Sequence, residues 1–122
     1  MKRDFEQERA RELTEAFFRV WKKGMTSGEA MRLAALQPCS RFWITPECVK
    51  LRLRYYGKHK YRLMRAMLEE IKLRLGGKTD IESIEQVVYS PAPQFYIAGD
   101  TARKIIQREL KRRRQCKRNN KH

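Results

Sequence analysis

The chain has 122 residues, 41% of them hydrophobic and 35% charged, a composition typical of one compact, heavily charged globular domain. This length excludes separate cofactor and substrate domains of ordinary size. With 29 Lys and Arg against 14 Asp and Glu, the formal net charge is +15, so we expect the chain to bind a polyanion, nucleic acid above all.

Hydropathy and cysteine usage predict a cytoplasmic protein without membrane association. No stretch approaches the roughly 18 to 20 consecutive apolar residues of a membrane span, and the first residues lack the apolar core of a signal peptide. Cys39, Cys48 and Cys116 form an odd, widely spaced set without a C-x-x-C pair, which predicts reduced thiols rather than disulfides or a zinc site. We expect no cofactor and no metal.

Three helices are predicted in the first half of the chain. The first spans residues 3–23, ends at Gly24 and carries an apolar stripe at helical spacing. A capping-box pattern at Thr26 and Glu29 opens the second, which continues to about Leu36. Residues 41–44 have the composition of a short extended segment, after which Thr45 as N-cap begins a third helix that reaches about Tyr56. The predicted stripe of the first helix is Leu13, Ala16, Phe17, Val20 and Trp21.

Three more helices are predicted in the second half, after a break at residues 57–60. A long middle helix spans residues 61–75 and is closed by Gly76 and Gly77. A second capping-box pattern, at Thr79 and Glu82, opens the next helix. A turn at residues 99–100 precedes the last helix, which begins at about Thr101. The apolar residues of these three helices are Leu63, Met64, Met67, Leu68, Ile71, Leu75; Ile81, Ile84, Val87, Val88; and Ala102, Ile105, Ile106, Leu110.

A shift of 53 residues aligns the two halves and predicts an internal duplication. Residues 26–54 then show five identities in 29 positions, where chance gives roughly two. The pairs are Thr26/Thr79, Glu29/Glu82, Pro38/Pro91, Phe42/Phe95 and Ile44/Ile97, all at predicted caps, helix ends or aromatic triplets. The predicted fold is therefore a mainly α, helix-turn-helix-like single domain over residues 1–110. Its two copies span about residues 26–56 and 79–110, and residues 111–122 form a basic tail.

Positive charge is concentrated in two stretches that the same shift superimposes. Residues 50–65 contain seven Lys or Arg and no carboxylate, and residues 101–122 contain ten with a single Glu. Such runs repel themselves unless a polyanion binds them. The tail either extends the last helix or is an arm that orders on contact. The predicted nucleic-acid-binding residues are Lys50, Arg52, Arg54, Tyr55, Tyr56, Lys58, Lys60, Arg62, Arg103, Lys104, Gln107, Arg108, Lys111, Arg112, Arg113, Arg114, Lys117 and Arg118.

Several functional alternatives follow from these stretches. Two equivalent basic helices favour duplex DNA, whose phosphates are regularly spaced, with RNA as the other nucleic acid left open. The tyrosines of the first stretch either stack on bases or cover the core. With two His, no Gly-rich phosphate loop and no carboxylate cluster, we expect no catalysis, and a Tyr55 or Tyr56 nucleophile is disfavoured. The alternative function is an assembly factor that docks an acidic protein or a ribonucleoprotein, and a homodimer is a further expectation left open.

The string Ser90-Pro91-Ala92-Pro93-Gln94-Phe95-Tyr96-Ile97, followed by an Ala-Arg helix, resembles small basic proteins of unknown function encoded near mobile elements and prophages of anaerobic bacteria. The resemblance covers about a third of the chain, and Gly99-Asp100 departs from the Ser/Thr-x-Glu cap expected there. It implies a phage or mobile-element accessory protein that binds DNA, and it supplies no catalytic residue.

Overall fold

Six helices occupy the part of the chain that the computed structural model describes, namely the backbone of residues 2–54 and 61–119 and the side chains of residues 5–54 and 61–117. They are α1 (Lys2–Val20), α2 (Ser27–Ala34), α3 (Pro46–Arg52), α4 (Arg62–Leu75), α5 (Ile81–Val88) and α6 (Gly99–Asn119). These residues contain no strand, only one isolated antiparallel bridge between Cys39 and Ala92. The predicted mainly α fold is confirmed.

The helices form two compact units. The first combines Met1–Gln37 with Ile97–His122 and contains α1, α2 and α6, each of which packs against the other two. Their shared core takes mostly small side chains from α2 and larger ones from α1 and α6, so three helices approach closely without a sheet. Its fully buried residues are Leu13, Thr14, Ala16, Phe17, Ala30, Ala34, Ala102 and Ile106.

The second unit spans Pro38–Tyr96 and contains α3, α4 and α5. Helix α5 packs against both α3 and α4. As predicted for the aromatic triplets, Phe42, Ile44 and Phe95 are buried, but Ile97 is only half-buried. The fully buried residues of this unit are Phe42, Val49, Leu68, Ile71, Ile84 and Val88.

Features related by the 53-residue shift recur along the structure. Cys39 and Ala92, which the shift superimposes, exchange both backbone N–H···O hydrogen bonds at 3.0 Å. Gly24 and Gly77, also related by the shift, both have φ +90°, a conformation that glycine adopts at little cost. Three helices lie in each half of the chain, at comparable positions. These correspondences support the predicted duplication, which stays a prediction.

Helix caps confirm one predicted capping box and correct the other. Thr26 caps α2, with its hydroxyl accepting from Glu29 N at 3.1 Å and the Glu29 carboxylate accepting from Thr26 N at 3.3 Å. The predicted box at Thr79 and Glu82 is wrong, because Asp80 is the N-cap of α5. The Asp80 carboxylate accepts from the backbone N of Ser83 at 3.0 Å and also from its hydroxyl.

Several helix ends differ from the predictions. Helix α3 begins as predicted, with Thr45 as N-cap, but it ends at Arg52 and a 3₁₀ turn at residues 53–54 follows. Residues 55–60, where the end of this helix and the break were predicted, lie outside the described residues. Helix α6 already begins at Gly99, so the turn predicted at residues 99–100 is wrong; the Ala98 carbonyl accepts from Ala102 N at 3.0 Å. The helix continues to Asn119, so the described part of the tail is helical.

Candidate nucleic-acid interface

One face of α6 is a continuous stripe of cations. Residues Ala102, Ile106 and Glu109 are buried and define the inner face of the helix. Positions spaced by three and four residues on the opposite side are exposed, and successive members of this stripe lie on neighbouring turns. The α6 stripe consists of Lys104, Gln107, Arg108, Lys111 and Arg114.

Glu109, the single carboxylate of residues 101–122, is withdrawn from this surface. Its residue is 5% exposed, and Arg112 binds it in a bidentate manner, donating from Nε to Oε1 at 2.8 Å and from Nη2 to Oε2 at 3.1 Å. The Nε of Arg113 lies 3.9 Å from the same Oε1 atom. The hydrogen bond with Glu109 and its negative charge raise the pKa of Arg112. The outer face of α6 beyond Asp100 therefore presents cations and polar groups without a carboxylate.

The remaining predicted residues of α6 fall into two groups. Arg103 and Lys117 are exposed on the flanks of the stripe, where they widen the basic surface. Arg112 and Arg113 instead serve the buried carboxylate, so they were predicted as free contact residues and are found in ion pairs. The side chain of Arg118 lies outside the described residues.

A groove between α1 and α6 adjoins the stripe. It is lined by Glu6, Arg9, Arg108, Glu109 and Arg112, among others. Burial lowers the pKa of Arg9, partly offset by the charge of Glu6, and its Nε atom has no hydrogen-bond partner among the described residues. A half-buried guanidinium with an unused donor favours an anion beside it. The sequence prediction did not include Arg9.

The first basic stretch has a different form. Lys50, Arg54 and Arg62 are exposed as predicted, but they flank the seven-residue α3 and the start of α4 rather than lining one long helix. Arg52 is half-buried and donates from Nε to Cys48 Sγ at 3.0 Å. These residues belong to the second unit, whereas the α6 stripe belongs to the first. The predicted contact residues Tyr55, Tyr56, Lys58 and Lys60 lie outside the described residues.

Two aromatic groups lie where the sequence prediction did not place them. Trp21 was predicted in the buried stripe of the first helix, but it follows the last residue of α1 and is 45% exposed. Its neighbour Phe18 is 53% exposed. In the second unit, Trp43 is buried, and the half-buried ring of Tyr96 stacks on Phe42 with centroids 6.0 Å apart.

Within the described part of the chain, no three His, Cys, Asp or Glu side chains are grouped as a metal ion would require. None of the described helices is long and apolar enough to cross a membrane. Comparisons with known proteins gave no match to a family model, to a curated protein or to a solved structure. The resemblance of residues 90–97 to proteins encoded near mobile elements therefore stays a prediction.

Proposed function

We propose that this chain is a non-catalytic nucleic-acid-binding protein that contacts duplex DNA through the α6 stripe. The observation that carries the proposal is the outer face of α6, where exposed cations follow one another while the one nearby carboxylate is buried and paired. Clustered like charges raise the free energy of the folded chain, and a polyanion removes that cost when it binds. Release of condensed counterions from DNA would add to the affinity.

The shape of α6 favours duplex DNA over duplex RNA. From Lys104 to Arg114 the stripe is about 15 Å long at the usual rise per residue. The major groove of B-form DNA is about 12 Å wide and admits an α-helix, whereas the major groove of A-form RNA is too narrow for one. Arg108 and Gln107 are residue types that read guanine and adenine in such a groove, and Lys104 and Lys111 suit phosphates.

The test compares two double variants that lose the same charge. In Arg108→Gln/Lys111→Gln the stripe loses two central cations. In Arg11→Gln/Lys78→Gln the chain loses one Arg and one Lys that are exposed elsewhere, on α1 and after α4. Nuclease-treated protein would be titrated with random-sequence duplex DNA, single-stranded DNA and duplex RNA at several salt concentrations.

We expect wild-type protein to bind duplex DNA more tightly than duplex RNA, with a steep salt dependence. The stripe variant should bind duplex DNA about tenfold or more weakly and reduce the log–log salt slope by about 2, roughly one for each lost phosphate contact. The control variant should retain most of the affinity. Equal losses in the two variants would show that affinity follows net charge alone, and weak binding to all three nucleic acids would favour docking to an acidic protein instead.

A further inference from the structure

The ring of Trp21, in the first unit, is exposed on one side only. It stacks on Phe17 with ring centroids 5.0 Å apart and an interplanar angle of 26°. Phe17 is 1% exposed, so it occupies one face of the indole, while Trp21 itself is 45% exposed. The exposed part of Trp21 is therefore the other face of the ring and its edge.

This ring is held in place before any ligand arrives. Its Nε1–H donates to the backbone carbonyl of Met25 at 2.9 Å, across a turn in which Gly24 has φ +90°. The stacking on Phe17 and the hydrogen bond to Met25 fix the position and the tilt of the indole. A group that binds the open face therefore does not have to order the ring, which lowers the entropic cost of binding.

The surroundings of the ring add a second exposed aromatic group and positive charge. Phe18 is 53% exposed, and its ring centroid lies 4.9 Å from that of Phe17. Arg19, Lys22 and Lys23 are exposed, and residues 16–28 contain no carboxylate. We call this surface the aromatic platform: Phe18, Arg19, Trp21, Lys22 and Lys23.

We propose that the aromatic platform binds a single-stranded segment of nucleic acid, with one unpaired base stacked on the open face of Trp21. An open aromatic face beside several cations matches a chain of bases joined by phosphates, because bases stack on the ring and the cations neutralise the backbone. In a duplex the faces of the bases are covered by their neighbours, so the platform requires unpaired bases. The proposal goes beyond duplex binding by α6 and does not depend on it.

The same charge pattern also suits two other occupants, an anionic lipid surface and an acidic protein segment. A lipid surface would bind Trp21 and Phe18 by burying their rings in the interface, with no need for a fixed ring plane. An acidic segment would pair with Arg19, Lys22 and Lys23 and would leave the face of Trp21 without a planar partner. The fixed ring with one open face favours the nucleic acid.

The experiment measures the binding of a fluorescently labelled oligothymidylate to the full chain by anisotropy. Trp21→Leu keeps an apolar side chain over Phe17 but removes the aromatic face, whereas Trp21→Phe keeps an aromatic face. We expect Trp21→Leu to lose roughly 5- to 100-fold in affinity, and Trp21→Phe to retain most of it. A matched control, Tyr89→Leu, removes an exposed aromatic ring of the second unit, one that lies beside Arg41, and should leave the affinity unchanged.

Tryptophan emission provides a second readout, because Trp43 is 8% exposed and replacing it by Phe leaves Trp21 as the one indole of the chain. Oligothymidylate should quench the emission of Trp43→Phe protein through stacking on the remaining indole. If Trp21→Leu binds the oligonucleotide as tightly as wild type, or if no quenching occurs, the proposal is wrong. Emission that responds to phosphatidylserine vesicles, or to a poly-glutamate peptide, and not to the oligonucleotide would also overturn it.

This design separates the two proposed sites. Trp21→Leu should leave the affinity for duplex DNA unchanged, while Arg108→Gln/Lys111→Gln should weaken it. Loss of duplex binding without loss of quenching by oligothymidylate would contradict the function proposed for α6 and leave the platform standing. The reverse result would contradict the platform alone.

Discussion

Glu109 determines what charge α6 presents to its surroundings. A carboxylate on the outer face would neutralise part of the stripe, but this one is buried and held by Arg112. Burial of a charged group costs free energy unless charge-assisted hydrogen bonds compensate for it, and the bidentate arrangement provides them. The spacing of three residues between Glu109 and Arg112 was visible in the sequence, yet spacing alone does not show which of the two side chains is buried.

We predict that Glu109→Gln lowers the free energy of unfolding by about 1–2 kcal/mol. The substitution keeps the size of the side chain but weakens two charge-assisted hydrogen bonds. The loss stays moderate because Arg112 is half-exposed and can return to water. Thermal or urea unfolding would measure it. The control is Glu82→Gln on exposed α5, which should change the stability by less than about 0.5 kcal/mol; equal effects of the two would contradict a special role of Glu109.

At the scale of elements, apolar periodicity located all six helices but not all of their ends. Two adjacent N-cap residue types, Thr79 and Asp80, each have a suitable partner three residues later, so the sequence could not decide between them. A carboxylate accepts both hydrogen bonds offered by Ser83, which explains why Asp80 is the cap. The error at Trp21 has another cause: helical periodicity does not extend past the end of α1 at Val20.

Asp80→Ala should therefore destabilise the chain, and Thr79→Ala should not. Loss of the N-cap leaves the first N–H groups of α5 without an intramolecular acceptor, and we expect the melting temperature to fall by roughly 4 °C. Thr79→Ala removes a side chain that is not the N-cap of α5 in this structure, and it should leave the melting temperature within about 1 °C of wild type. Differential scanning calorimetry of the two variants would check this; a larger effect at Thr79 would restore the capping box first predicted there.

The effect of Asp80→Ala should depend on pH. Hydrogen bonds from Ser83 hold the pKa of Asp80 below its ordinary value, so the charged form is favoured in the folded chain. The stabilisation is fully present above the pKa of an unfolded Asp, about 3.9, and is lost as the pH falls through the lower folded value. Melting temperatures of wild type and Asp80→Ala should converge in that acidic range. Asp80→Asn, which caps without ionising, should show no such convergence with Asp80→Ala.

At the scale of the whole molecule, the sequence predicted a basic, mainly α protein but not the arrangement of its charge. The shift of 53 residues suggested two equivalent basic helices. Instead, α6 has 21 residues and continues through most of the basic tail, while α3 has seven residues. Charge and periodicity are local properties that a sequence shows directly. Which carboxylate is buried, and which aromatic ring is left with an open face, depend on packing between helices distant in the chain.

The net charge of +15 leads to a final prediction, that the stripe costs stability in the absence of a polyanion. Arg108 lies three or four residues from Lys104, Lys111 and Arg112, spacings at which like charges destabilise a helix by about 0.2–0.5 kcal/mol per pair. Gln has nearly the helix propensity of Arg and Lys, so Arg108→Gln/Lys111→Gln removes repulsion and changes little else. At about 10 mM salt, where the Debye length is about 30 Å, this variant should melt roughly 2–5 °C above wild type.

The control variant Arg11→Gln/Lys78→Gln should behave in the opposite way, because Arg11 lies between Glu8 and Glu15 at attractive spacings on α1. It should melt at or below the temperature of wild type at low salt. Both differences should shrink at 150 mM salt, where the Debye length is about 8 Å. A lower melting temperature for Arg108→Gln/Lys111→Gln would show that these cations stabilise the fold. It would remove the main physical reason to assign them to a partner, since residues kept for binding commonly reduce stability.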